Sequence, residues 1–412
     1  MNVVLNRRRW AALVVGLALF TSILAACGGG DDGTEAVEPA ATETAEASAE
    51  TAAPAETGAP AETTATAGEA DVEGAAADIE TLKAIPEFSP PGPAIDLTTV
   101  EGKTIFNIPI SSEIPFVAGI DEGMARIAGQ AGVKFIQYPN QGQPSQWVQG
   151  INQAIAQNVD LIVLQAAPNP ELLQPQLKQA QDAGIPVLLA HLLPEGSPLP
   201  PNIDALMPVP FHEAARAEVD YAVMESGAET NALIITSSEV LPSDGIVQAM
   251  QEQLATRCPE CTSKVVNVPI TDWATKIQGE VQSALVADPS INWVIPIYDS
   301  MSQFAVPGIV AAGREGAVRI STFNGTPFVL EFIQDGDVVA MDIGESLDWI
   351  AYANMDQAFR LLAGMEPLET ENLPLRVFDD SNVEETGTPP TFADGYGDSY
   401  VTGYEELWGL SG

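Results

Sequence analysis

Positive charge is scarce in this chain. It has 16 lysines and arginines against 57 aspartates and glutamates, a formal net charge of −41. Nucleic-acid binding needs a basic footprint on the phosphates, so that class is excluded, and so is charge-driven adhesion to anionic lipid. Histidine is nearly absent: beyond the Cys258–Cys261 pair, a zinc centre would need further ligands, and only His191 and His212 exist. No HExxH, GxSxG or phosphate-loop motif occurs, and "GQPSQ" and "PSDG" read as turns rather than nucleophile elbows. The expectation is a binding protein, not an enzyme, with no catalytic residue, cofactor or metal.

A long hydrophobic run is missing too. Trp10 to Ile23 is apolar behind the basic head Arg7-Arg8-Arg9, but it falls short of the roughly 20 residues that span a bilayer. Basic head, short apolar core and small residues before a cut describe an export signal. Leu24-Ala25-Ala26-Cys27 resembles the lipobox of bacterial lipoproteins. That resemblance implies cleavage before Cys27 and lipid on its thiol, with Gly28 to Gly30 letting the chain leave the membrane in any direction.

The next stretch has almost no aromatic or large aliphatic residue; "EPAATETAEASAETAAPAETGAPAETTATAGEA" is typical. Such a composition buries too little apolar surface to offset its ordering entropy. Residues 27–96 are therefore expected to be a disordered acidic tether whose role is reach.

After residue 97 a regular rhythm begins. "KTIFNIPI", "VKFIQYP", "DLIVLQ" and "IPVLLAH" are apolar strands, separated by "PFVAGIDEGMARIAGQAG", "PSQWVQGINQAIAQN" and "PELLQPQLKQAQDAG", which are amphipathic helices. The pattern restarts after Asn202 with "DALMPV", a helix over His212–Ser226, "NALIIT", a helix near Ser243–Thr256, "KVVNVPI", a helix over Trp273–Ala287, "NWVIPI" and "VRISTF". Strands apolar throughout and alternating with helices predict parallel sheets covered on both faces. The fold class is thus α/β, with two doubly wound Rossmann-like units and a cleft beyond the carboxyl ends of their strands.

"DAGIPVLLAH", "ADPSINWVIPIYDSMSQFAVPGIVAAG" and "VRISTFNGTPFVLEFIQDGDVVA" resemble the type I periplasmic sugar-binding proteins of the ribose-binding group, over about residues 103–377. The resemblance implies two lobes joined by a hinge that close on a small ligand and deliver it to an ABC permease; a ligand sensor for a membrane signalling protein is the other use. The fold also occurs in repressors, but an export signal and tether stand here in place of a helix-turn-helix. The implied domains are a signal peptide over 1–26, the tether over 27–96, one lobe from 97–209 with 346–376, and the other from 210–345 with 377–412. The expected protein is a monomer, exported and lipid-anchored to the outer face of the cell membrane, or periplasmic.

Position by position, the resemblance implies that Ser112, Glu113 and Phe116 meet the ligand from the first loop, joined by Gln165, His191, Asp244, Trp273, Tyr298, Asp299, Asn324 and Glu345. Aromatic faces pack on a sugar's C–H surface while polar groups bind its hydroxyls. Where the family has Asp-Arg, this chain has His191-Leu192, and Asp244 replaces an arginine. A sugar or polyol stays the favoured ligand, with a cationic or nucleoside-like solute as the alternative. His191, Phe116 and Trp273 also suit core packing, Glu113 and Asp244 suit solvated acids, and Trp147, beside Val148 and Ile151 on a helix, reads as packing. "CPEC" (Cys258–Cys261) follows a helix and precedes a strand, where a redox pair is out of place; in an exported protein the expectation is a disulfide.

Overall fold

The computed structural model describes residues 69–410 apart from 167 and 337. The export signal, Cys27 and most of the tether lie outside those residues.

The first described helix, α1 (Val72–Leu82), belongs to a segment the composition assigns to the tether. Asp71 caps it by accepting from the Gly74 amide at 3.0 Å. Ala75 and Ile79, four apart on one face, are buried against the second lobe. The tether expectation therefore fails over 72–96, because this short Ala/Glu segment does have an apolar stripe and a surface to cover.

The first lobe is built from β1 (Thr104–Pro109), α2 (Pro115–Gln130), β2 (Lys134–Gln137), α3 (Pro144–Gln157), β3 (Leu161–Gln165), α4 (Gln174–Asp182), β4 (Val187–Pro194) and β5 (Ala205–Val209). Local chemistry sets these bounds. Pro144 starts α3 behind a reciprocal Gln143–Gln146 capping box, and Asn158 ends it at φ 50°. The strands pair in parallel in the order β2-β1-β3-β4-β5.

The chain then crosses to the second lobe: α5 (Phe211–Ser226), β6 (Asn231–Thr236), α6 (Ser243–Arg257), β7 (Thr262–Asn267), α7 (Trp273–Ala287), β8 (Trp293–Pro296), α8 (Ser302–Ala311), β9 (Arg319–Asn324), α9 (Pro327–Gln334) and β10 (Val339–Gly344). It returns as α10 (Leu347–Ala363), capped by Ser346 and packed on α2 of the first lobe. It crosses again to add β11 (Arg376–Asp379) antiparallel to β10, giving the second sheet the order β11-β10-β9-β8-β6-β7. The last helix, α11 (Ser399–Leu407), packs on α10. The boundary expected at 377–412 thus holds only for the β11 region; α11 rejoins the first lobe, because Tyr400, Tyr404 and Trp408 complete an aromatic cluster with Trp349 and Tyr352. Cys258 and Cys261 are disulfide-bonded between α6 and β7.

In both sheets the winding reverses beside the first strand of the lobe, between β1 and β3 and between β6 and β8. The carboxyl ends of those strands open a crevice, and the two crevices face one another.

Candidate functional site

The cleft has an inner chamber of about 60 Å³. Ile110, Ile114, Phe116 and Val117 reach it from the β1–α2 turn, and Ala166, His191 and Leu192 from the ends of β3 and β4. Phe211, Val240, Pro242, Ile270, Trp273, Tyr298, Ser300 and Asn324 complete it from the second lobe. Two vestibules flank it. One, of about 400 Å³, is lined in part by Ser111, Glu113, Gln141, Gln143, Thr271 and Gln303. The other, of about 410 Å³, has Trp147, Asn169, Ser238, Glu239 and Asn267 in its wall. Among the described residues, no lysine or arginine lines any of the three.

The chamber wall is aromatic. The His191 ring lies 5.0 Å from Phe116 and 5.6 Å from Phe211, edge-on to the latter. Trp273 spends its only polar atom inside the wall: Nε1 donates to Ser237 Oγ at 2.8 Å and to the Val268 carbonyl at 3.1 Å. Tyr298 sits 3.4 Å from Ser243 Oγ, and burial holds its hydroxyl protonated. Three lining residues occupy backbone space that side chains seldom adopt: Ala166 at φ 47°, His191 at φ 54° and Asn324 at φ 149°. Strain of that kind costs about 1–3 kcal/mol per residue and clusters at functional sites.

Of the residues expected to meet a ligand, Phe116, His191, Trp273, Tyr298 and Asn324 line the chamber, and Glu113 lines the first vestibule. The other five do not line these spaces. Ser112 ties two loops together, accepting from the Asn140 amide at 3.2 Å while its own amide donates to the Asn140 carbonyl at 2.9 Å. Gln165 is buried and accepts from Asn354 of α10 at 2.9 Å. Asp244 is exposed in the first turn of α6. Asp299 turns inward, accepting from the Thr326 amide at 2.6 Å and its hydroxyl at 2.9 Å. Glu345 lies behind His191, with 2.7 Å between Oε2 and Nε2. This pair joins β4 of the first lobe to the turn after β10, where the chain leaves the second. Phe211, Ile270 and Ser300 were missed: Phe211 falls between the expected strand "DALMPV" and the helix expected from His212, Ile270 ends the expected strand "KVVNVPI", and Ser300 is adjacent to the chosen Asp299.

Beneath the site, in the second lobe, Asp299 lies with two further buried acids, Asp342 and Glu218. The Gly325 amide donates to Asp342 at 3.1 Å, while Asp342 Oδ2 and both Glu218 carboxyl oxygens have no hydrogen-bond partner. Burial, and then mutual repulsion, pushes Asp342 and Glu218 well up. In the first lobe burial raises Asp121 from 3.8 to about 7, against hydrogen bonds from Asn107 and Gln137. An unfolded aspartate gives up its proton near pH 4 and these hold theirs, so between about pH 4 and 7 the folded chain binds more protons and stability falls as pH rises. The lowered carboxylates, such as Asp379, act only below that window. Thermal unfolding should therefore move to lower temperature between pH 5 and 7.5. Asp342→Asn should flatten the slope; an unaltered slope would mean the cluster is not protonated.

Comparison with known proteins agrees with this architecture. The profile of the periplasmic binding protein domain matches residues 105–366. An ABC sugar transporter subunit from Rhodobacter sphaeroides is 20% identical with a TM-score of 0.61, the match covering 69% of this chain and 100% of that one. An ABC transporter solute-binding protein from Agrobacterium vitis, with bound allitol, is 19% identical with a TM-score of 0.63 over 70% of this chain and 99% of that one. A Bacillus halodurans counterpart with bound myo-inositol is 16% identical with a TM-score of 0.59, over 70% of this chain and 99% of that one. No curated protein sequence matches. With a domain profile spanning well over half its length, and two doubly wound lobes meeting at a strained, strand-end cleft, the chain belongs to the periplasmic binding protein domain family.

Proposed function

We propose that the protein captures a small sugar-like solute in this cleft outside the cytoplasm and delivers it to an ABC permease. The observation that carries the reading is the chamber itself, closed by strand-end residues from both lobes, so that one ligand touches both at once. Such a ligand favours the closed arrangement by its extra contacts there. The polyols bound by the structural neighbours support this class. A lipid on Cys27, with the acidic segment behind it as a tether, holds the protein at the membrane. We read the cleft as a binding site: its polar groups are amides, hydroxyls, the Glu345-linked His191 and vestibule acids, and the Ser300 hydroxyl is turned to Asp299.

Cationic ligands are the second reading. Glu113 and Glu239 face the vestibules, but Asp244, Asp299 and Glu345, needed as inner counter-charges, lie elsewhere. A thermal-shift panel of sugars, polyols, amines and nucleosides decides. A neutral polyhydroxy solute at a hundred times its Kd should add about 2.7 kcal/mol of stability. A panel in which only amines raise the melting temperature would overturn the sugar class, and one in which nothing does would overturn solute capture. Trp273→Ala should weaken binding of any hit by tenfold or more, read by calorimetry, since a stacked aromatic contributes beyond its burial.

A further inference from the structure

We propose that the ligand is bipartite: a hydroxylated body held in the Glu113–Gln303 vestibule and a small alkyl group, of two or three carbons, in the inner chamber. The inference rests on the solute-capture reading above and names its substrate class more closely.

Polar groups are unequally divided along the cleft. Only His191, Ser300 and Asn324 bring polar side chains to the inner chamber besides the Tyr298 hydroxyl, which is near Ser243. His191 is further committed, with Nε2 against Glu345. A sugar ring placed there would bury several hydroxyls with too few partners, and each unpaired one weakens binding. The adjoining vestibule has the opposite character: Glu113, Gln141, Gln143, Thr271 and Gln303 supply acceptors and donors without a cation. The two spaces share Ile114, Ile270, Trp273 and Ser300, so a single molecule can occupy both.

Size narrows the buried part. An apolar cavity of about 150 Å³ takes benzene, so a chamber of about 60 Å³ suits two or three carbons rather than a phenyl ring. The lack of lysine and arginine along the cleft disfavours phosphorylated or carboxylated ligands. What fits is a neutral polyol or sugar bearing a short alkyl substituent.

The test is titration calorimetry of the full-length protein with free glucose, galactose and ribose and with the methyl, ethyl, isopropyl and phenyl β-glycosides of each. For at least one sugar, affinity should rise about fourfold per added carbon up to isopropyl and fall at phenyl. Val240→Phe, which fills the chamber from the β6–α6 turn, should erase the stepwise gain. Free sugars binding as tightly as their alkyl glycosides would overturn this inference alone and leave solute capture standing. A gain that continues through phenyl, or that survives Val240→Phe, would also overturn it. No binding by any member, while the thermal-shift panel yields a hit, would overturn this inference alone; no hit in either would overturn both.

Discussion

Arg360→Met should destabilise the protein by about 3–5 kcal/mol, the range for removing one partner of a buried ion pair. Arg360 and Asp356 lie one turn apart on α10, both fully buried, with Nε 2.6 Å from Oδ2. The guanidinium is the counter-charge to a pocket of buried acids beside the aromatic cluster. Asp356 also accepts from Trp408 Nε1 at 2.6 Å, and Glu371 accepts from the Tyr404 hydroxyl at 3.0 Å. Burial raises both carboxyls, and the charge on Asp356 raises Glu371 further. Methionine fills the volume without the charge, so these acids must be protonated or stay buried without a counter-charge. The loss should therefore be larger at pH 7.5 than at pH 5, because protonation at low pH removes the uncompensated charge. Arg360→Met with Asp356→Asn should recover most of the stability, since an amide keeps the Trp408 acceptor and carries no charge. Chemical denaturation at the two pH values reads all of this; a single mutant within 1 kcal/mol of the parent would show that the pair contributes nothing net.

Much of the fold was legible because the central strands, such as β3 and β8, are buried and largely apolar along their length, and helices such as α2 and α3 carry a clear apolar face; the edge strands β2 and β7 are mixed and half-exposed. The site was legible in position more than in orientation. The resemblance supplied the candidate contacts, and of these Phe116, His191, Trp273, Tyr298 and Asn324 line the chamber. Successive residues at a strand end point in different directions, so Tyr298 and Ser300 line the chamber while Asp299 between them is taken up by Thr326. Gln165 fails for a similar reason: its partner, Asn354, is on a helix that returns from the second lobe, nearly two hundred residues away in sequence. The segment over 72–96 was misread because composition averages over a window, whereas docking depends on a few residues. Arg257, the partner of Asp71 and Asp78, could not be paired with them from spacing alone.

A chain that begins at Leu97 should be less stable than one that begins at Glu69 by several kcal/mol, on the order of a large-to-small change in a core. The segment before Leu97 is a strap across both lobes. At its start Arg257 of α6 gathers Asp71, Asp78 and Asp220. Lys83 then meets Asp379 of β11 at 2.7 Å. Past that point the strap crosses to the first lobe: Phe88 packs 4.9 Å from Tyr404 and 6.0 Å from Trp349, and the Ile95 amide donates to the Leu407 carbonyl at 2.9 Å. Gly92 lies over Arg360, where a Cβ would sit 3.2 Å from the guanidinium. Truncation thus admits water to the buried acids described above. That coupling makes the two predictions non-additive: Arg360→Met should cost less in the chain starting at Leu97 than in the longer one, by at least 0.5 kcal/mol, since groups sharing an environment interact at that level. Because the strap touches both lobes, its removal should also loosen their relative motion. Amide exchange at the ends of β5 and β10, where the chain crosses between lobes, should then speed up more than in the sheet centres. Equal melting temperatures for the two chains, with unchanged exchange at those crossings, would reduce the strap to a passive continuation of the tether.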